Sequence, residues 1–181
     1  MLREFIPEPA YSTTDEDTVY SLLSKRAERN PDDLIAQWQD DETRHWHDVT
    51  AGQMLDRVNG VAKGLLGLGV KAGSMVVIYS PTCYEWGVVD FACAAIGAVS
   101  VPVYETDSAR QAASIIEEVN PVIAFAGDFA HTQTLEQIRD SHDGLKYVFN
   151  FEADGLDAVA DFGQAVDGNT LLMEILLQLI D

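Results

Sequence analysis

From Met75 to Phe151 the chain alternates short apolar runs with amphipathic stretches of about three helical turns, and nothing constrains its fold more than that alternation. The spacing predicts strands over Met75–Ser80, Ala98–Tyr104, Val122–Ala126 and Lys146–Phe151, separated by helices over Cys83–Ile96, Ser108–Val119 and Phe129–Asp140. Strands covered on both faces read as unbroken Val/Ile runs, and strands joined through single helices cross over in one hand. The expected class is therefore α/β, a mostly parallel sheet flanked by helices.

Upstream, Thr18–Arg29 places Val19, Leu22, Leu23 and Ala27 on one helical face and stops at Asn30-Pro31. Leu34–Gln39 and Arg44–Val49, joined by the acidic turn Asp40-Asp41-Glu42, predict a small β-hairpin. Thr50 and Gln53 stand at capping-box spacing before Met54, Val58, Val61, Ala62 and Leu65, the stripe of a long, half-buried helix. Ser108 and Gln111 repeat that spacing ahead of Ala112, Ile115, Ile116 and Val119. After Phe151 an acidic stretch with Gly155, Gly163 and Gly168 reads as loop, and Thr170–Asp181 as an amphipathic helix. The expected division is residues 1–151, an α/β unit, and residues 152–181, an acidic loop and helix.

Composition narrows the partners. The 181 residues carry 11 Lys+Arg against 30 Asp+Glu, a net charge of −19, with no basic cluster, so polyanions and anionic lipid surfaces are repelled. No nucleic-acid partner is expected. The start, Met1-Leu2-Arg3-Glu4-Phe5 with Pro7 and Pro9, lacks the apolar core of a secretory signal. The longest weakly charged stretch, Trp86–Tyr104, contains Asp90, Gly97 and Pro102 and reads as helix then strand, so no transmembrane segment is expected. Cys83 and Cys93 fall on one predicted helix, where ten residues separate them by ~15 Å, beyond the ~7 Å that a disulfide spans. Reduced thiols and a cytoplasmic location follow as expectations.

Few residues stand where chemistry needs them. Gly64-Leu65-Leu66-Gly67-Leu68-Gly69 closes a helix before a strand, the reverse of a dinucleotide fingerprint, so Gly69 reads as a helix C-cap and Gly67 as a close-packing position. No G-x-x-x-x-G-K-[ST] loop occurs. His45 and His47 share a face of one predicted strand near Asp41 and Asp48, but no third metal ligand follows at usable spacing, and a solvated surface explains them better. His131 and His142 read as surface residues. Cys83 opens a helix, where the macrodipole favours a thiolate, but no base accompanies it, and a structural thiol is the better reading. Tyr104, Glu105 and Thr106 end a strand and lead into a capped helix, at the carboxyl edge where open α/β sheets bind ligands. They are the substrate-proximal candidates, and no catalytic or metal residue is assigned. Glu105 and Asp107 also favour a helix N-terminus without any ligand.

Taken together, Leu68-Gly69-Val70-Lys71-Ala72-Gly73, Val76-Val77-Ile78, Tyr84-Glu85-Trp86, Asp90-Phe91-Ala92 and Gly97 through Thr106 to Ser108 and Gln111 form a distinctive combination. Over residues 3–150 the chain resembles the N-terminal portion of AMP-forming acyl-CoA synthetases of the adenylate-forming superfamily, and within them the long-chain fatty-acid CoA ligases. Ser74 departs from the aspartate usual there, a structural rather than catalytic position. The resemblance implies a reaction in which fatty acid and ATP give acyl-adenylate and pyrophosphate, and CoA then displaces AMP. It also implies ATP, Mg and CoA as ligands.

The family's phosphate loop, metal-binding glutamate, ribose-binding aspartate and mobile-domain lysine match no segment of residues 1–181. The expectation is a truncated ligase that stops before the phosphate loop, is inactive alone, binds none of the three ligands tightly, and takes the missing remainder of the ligase, in cis or in trans, as its partner. An apolar sheet face left open by that absence is expected to favour self-association. Two alternatives stand beside this reading: a stand-alone, non-catalytic α/β binding module, and an unrelated flavodoxin-like or Rossmann-like enzyme.

Overall fold

The computed structural model describes residues 14, 17–40 and 42–165, without the side chains of residues 164 and 165. Helix α1 (Val19–Arg29) precedes a hairpin of β1 (Leu34–Gln39) and β2 (Trp46–Thr50), which leads directly into α2 (Ala51–Gly67). A regular alternation follows: β3 (Met75–Tyr79), α3 (Tyr84–Ala95), β4 (Val99–Val103), α4 (Ala109–Val119), β5 (Ile123–Ala126), α5 (Phe129–Arg139) and β6 (Tyr147–Asn150). A single 3-10 turn (Phe151–Ala153) then opens α6 (Gly155–Ala165).

Local chemistry accounts for the element boundaries. Thr50 accepts from the Gln53 amide while Gln53 reaches back to the Thr50 amide, and Ser108 and Gln111 do the same for α4. A third such box, Thr18 with Ser21, starts α1. Each cap satisfies amides that the first helical turn leaves orphaned and contributes about 1 kcal/mol. At the other end of α2, Gly69 takes φ +89°, its amide bonds Leu66 and the Val70 amide bonds Leu65, a Schellman closure that favours glycine. Ser74 accepts the Lys71 amide at 3.0 Å across the turn before β3, the structural role expected of it.

The four strands β3 to β6 pair parallel in the order β4-β3-β5-β6, and β1-β2 form a separate antiparallel pair. Alternate residues of β3 and β5 face opposite layers. Val76, Ile78, Ile123 and Phe125 pack against α2, α3 and α6, while Val77, Tyr79, Ala124 and Ala126 pack against α4 and α5. Fully burying a Val, Ile or Phe contributes about 1.5–3 kcal/mol, so this two-sided core dominates the fold. The sheet face expected to lie open is thus covered on both sides. Among the described residues, the large apolar side chains that remain exposed include Val19 and Leu22 on α1, Val99 on edge strand β4 and Phe162 on α6.

Two further expectations are corrected. The acidic stretch after Phe151 is not loop up to residue 165: α6 buries Leu156 and Val159 while Asp157 and Asp161 face outward, so the acids lie on the solvent side of an amphipathic helix. The close-packing glycine of α2 is Gly64, not Gly67. A Cβ on Gly64 would sit 1.9 Å from the Val159 carbonyl oxygen, and one on Gly163 would sit 2.6 Å from the Gly64 nitrogen, so the two helices touch backbone to backbone. An Arg57–Asp157 ion pair ties the same two helices together. The helix expected over Thr170–Asp181 lies outside the described residues. Among those residues, no helix is long and apolar enough to cross a membrane.

Candidate functional site

Strand order decides where a ligand site is built. The chain leaves β3 toward one layer through α3 and leaves β5 toward the other through α5, so the carboxyl ends of these neighbouring strands are the switch point at which open α/β sheets form a ligand crevice. Its floor is the β3–α3 loop, where buried Ser80 donates to the Pro81 carbonyl at 2.7 Å, packed against Gly127 after β5. A Cβ on Gly127 would fall 2.8 Å from Ser80 Oγ, so only glycine allows the loops to close this tightly. Ser80 and Gly127 escaped the reading of the sequence because only the pairing of β3 with β5 brings them together.

Tyr104, Glu105 and Thr106 follow β4, one strand from this crevice. They form a tight turn in which the Asp107 amide donates to the Tyr104 carbonyl at 2.9 Å, immediately before the Ser108 cap of α4. All three side chains are exposed, Tyr104 at 77%. Among the described residues none of the three side chains makes a hydrogen bond, so the turn is fixed through its backbone while its side chains stay available.

Two side chains fix that backbone. The Tyr79 hydroxyl, at the end of β3, donates to the Asp107 carbonyl. Nε2 of His131, in the first turn of α5, lies 3.1 Å from the Glu105 carbonyl. The two rings meet edge to face with centroids 4.3 Å apart. His131 is therefore not the surface residue expected from the sequence: its side chain is only 12% exposed, folded against Tyr79. Its Nδ1 lies 2.8 Å from Asp128 Oδ1, off the axis that a ring N–H needs, and is buried without a hydrogen bond. Asp128 already caps α5 by accepting the His131 amide. Burial, and then the carboxylates of Asp107 and Asp128, push the Tyr79 phenol above its usual range, which keeps it a donor.

The other candidates lie apart from this chemistry. Cys83 is the exposed N-cap of α3, 3.7 Å from Ser80 Oγ, and burial raises its thiol above the usual value despite the helix dipole. An activated nucleophile needs the opposite shift. Cys93 is buried on the inner face of α3, its thiol pushed up to about 12. His47 stacks on Trp38 at 4.2 Å and meets His45 edge-on at 4.9 Å, both at the hairpin. His142 accepts the Leu145 amide within its own turn. Among the described residues, no three His, Cys, Asp or Glu side chains are placed to hold a metal ion.

The carboxyl-edge loops do not fit a nucleotide triphosphate by themselves. Residues 80–83, 104–108 and 127–128 supply the carboxylates of Glu105, Asp107 and Asp128 and no lysine or arginine. Polyphosphate binding needs cations and converging amides around the charge. What these loops offer is an ordered, partly aromatic rim at the mouth of a crevice.

Residues 23–167 match the family profile of the AMP-binding enzymes. The chain is 34% identical over 169 residues to the long-chain-fatty-acid–CoA ligase FadD15 of Mycobacterium tuberculosis, covering 92% of this chain and 28% of that protein. It is 30% identical over 109 residues to the propionate–CoA ligase of Escherichia coli, covering 60% of this chain and 17% of the other. The fold is that of the N-terminal domain of FACL13 from Mycobacterium tuberculosis, with a TM-score of 0.66, 23% identity, and coverage of 80% and 36% of the two chains. This chain spans 28% of the length of the FadD15 ligases it matches.

Proposed function

The chain belongs to the AMP-binding enzyme family, and on that premise we propose that it supplies the N-terminal α/β part of a long-chain fatty-acid CoA ligase. The whole enzyme joins a fatty acid to CoA at the expense of ATP, through an acyl-adenylate, releasing AMP and pyrophosphate. The 34% identity to FadD15 over 92% of this chain carries the reading. In it, Tyr104, Glu105 and Thr106 are substrate-proximal, and the partner is the remainder of the ligase, supplied in cis or in trans. ATP, magnesium and CoA act at a site completed by that remainder. The working location is the cytoplasm.

Residues 1–181 alone are inactive in this account. The carboxyl-edge loops bring no cation to a developing phosphate charge, and losing a single such positioning group commonly costs two to three orders of magnitude, about 2.7–4 kcal/mol. The test mixes the purified chain with ATP, magnesium, palmitate and CoA, follows AMP and pyrophosphate, and records particle size by light scattering in the same sample. The expected result is no palmitate-dependent AMP. Turnover by the chain alone would overturn the assignment. A polydisperse sample would fit self-association through surfaces that the remainder of the ligase covers, whereas a clean monomer would remove self-association from the account.

A further inference from the structure

We infer that Tyr79 and His131 are positioning residues that clamp the Tyr104–Asp107 turn from two different elements and hold its backbone in one conformation at the carboxyl edge of the sheet. The inference deepens the proposed function, since it rests on reading Tyr104, Glu105 and Thr106 as substrate-proximal.

A two-residue turn at the end of an edge strand is ordinarily mobile, with one hydrogen bond to close it. Here the turn's own bond, Asp107 N–H to the Tyr104 carbonyl at 2.9 Å, accounts for one of its carbonyls. The Glu105 carbonyl faces His131 Nε2 at 3.1 Å, and the Asp107 carbonyl accepts from the Tyr79 hydroxyl. Three of the turn's four backbone carbonyls, those of Tyr104, Glu105 and Asp107, are thus taken. The Ser108–Gln111 box pins the far side, where Gln111 Nε2 also donates to the Asp107 carboxylate at 3.3 Å.

The acceptor fixes the role of Nε2. A carbonyl only accepts, so in this contact His131 Nε2 carries a proton and donates it. The Tyr79 ring packs edge-on against the imidazole, so each donor also orients the other. Tyr79 comes from β3 and His131 from α5, the two elements that border the crevice. The clamp therefore couples the turn after β4 to the crevice walls. A site held this way loses little order when ligand binds, which is what preorganisation requires.

The test is amide hydrogen exchange followed by NMR on the 181-residue chain without any ligand. Tyr79→Phe removes one oxygen, and His131→Ala removes the second donor. Either substitution is expected to speed exchange of the Asp107 amide about tenfold while the Ala124 and Phe125 amides of β5 keep their protection. His131→Gln, which carries an N–H donor near the Nε2 position, is expected to restore most of the loss. Long-range proton–nitrogen correlations should show the His131 proton on Nε2. An unchanged Asp107 amide in both variants, loss of protection shared equally with β5, or a proton carried on Nδ1 alone would each overturn the clamp. Because no ligand is present, these results score the clamp by itself. The substrate-proximal reading fails separately, if Tyr104→Ala leaves the KM of an active assembled ligase unchanged.

Discussion

The two cysteines show how far environment overrides position at the scale of a residue. Cys83 sits at a helix N-terminus, where the dipole favours thiolate, yet burial of the thiol outweighs it and raises the pKa. Cys93 is deeper still, with its thiol pushed up to about 12 by burial first and the Asp90 carboxylate second. A thiol reagent at pH 8 is therefore expected to modify one cysteine per native chain, slowly and at Cys83, and to reach Cys93 only on unfolding. Rapid titration of both thiols in the native protein would contradict the packing of α3. The junction that holds Tyr104, Glu105 and Thr106 was legible because a strand leading into a capped helix has a local signature, while their substrate-proximal role is part of the proposal. His131 was not legible, since its contact lies 26 residues away in sequence and exists only because the β5 and β4 loops flank the end of β3.

Elements were legible where apolar period and cap chemistry agreed. The strands β3 to β6 and helices α3 to α5 begin and end within a few residues of expectation, because Val/Ile runs, capping boxes and the Asp128 cap all act locally. Helix α6 was missed because its acids dominate the composition, while the Leu156–Val159 spacing and the glycine that lets it touch α2 carry meaning only once α2 is beside it. The Arg57–Asp157 pair gives that contact a pH signature. The hydrogen bond from Arg57 holds the Asp157 carboxyl below the usual 3.8, so the ionised form is favoured in the folded state. Its stabilisation is fully present above the unfolded value of 3.8 and is lost as pH falls through the lower, folded value. Asp157 is largely exposed, so the contribution is small and screened by salt. A carboxyl-carbon NMR titration should show the low Asp157 midpoint return to the ordinary range in Arg57→Ala. An identical midpoint in both proteins would contradict the pair.

For the whole molecule, the sequence announced a parallel α/β sheet but not its strand order. Periodicity marks where strands lie, whereas the order β4-β3-β5-β6 follows from which layer each crossover helix covers. That order places the crevice between β3 and β5, one strand away from the turn that local signals picked out. Helices cover both faces of the sheet, so the rest of a ligase would not meet an open sheet face. The central claim, that these residues serve as the N-terminal part of a long-chain fatty-acid CoA ligase, is tested most directly by a substitution of parts. Residues 1–181 replace the matching segment of FadD15 from Mycobacterium tuberculosis, and palmitate-dependent AMP release is measured with thermal melting as the control for folding. The account predicts ligase turnover by the hybrid well above that of FadD15 lacking the segment; a hybrid that melts cooperatively yet releases no palmitate-dependent AMP would contradict it.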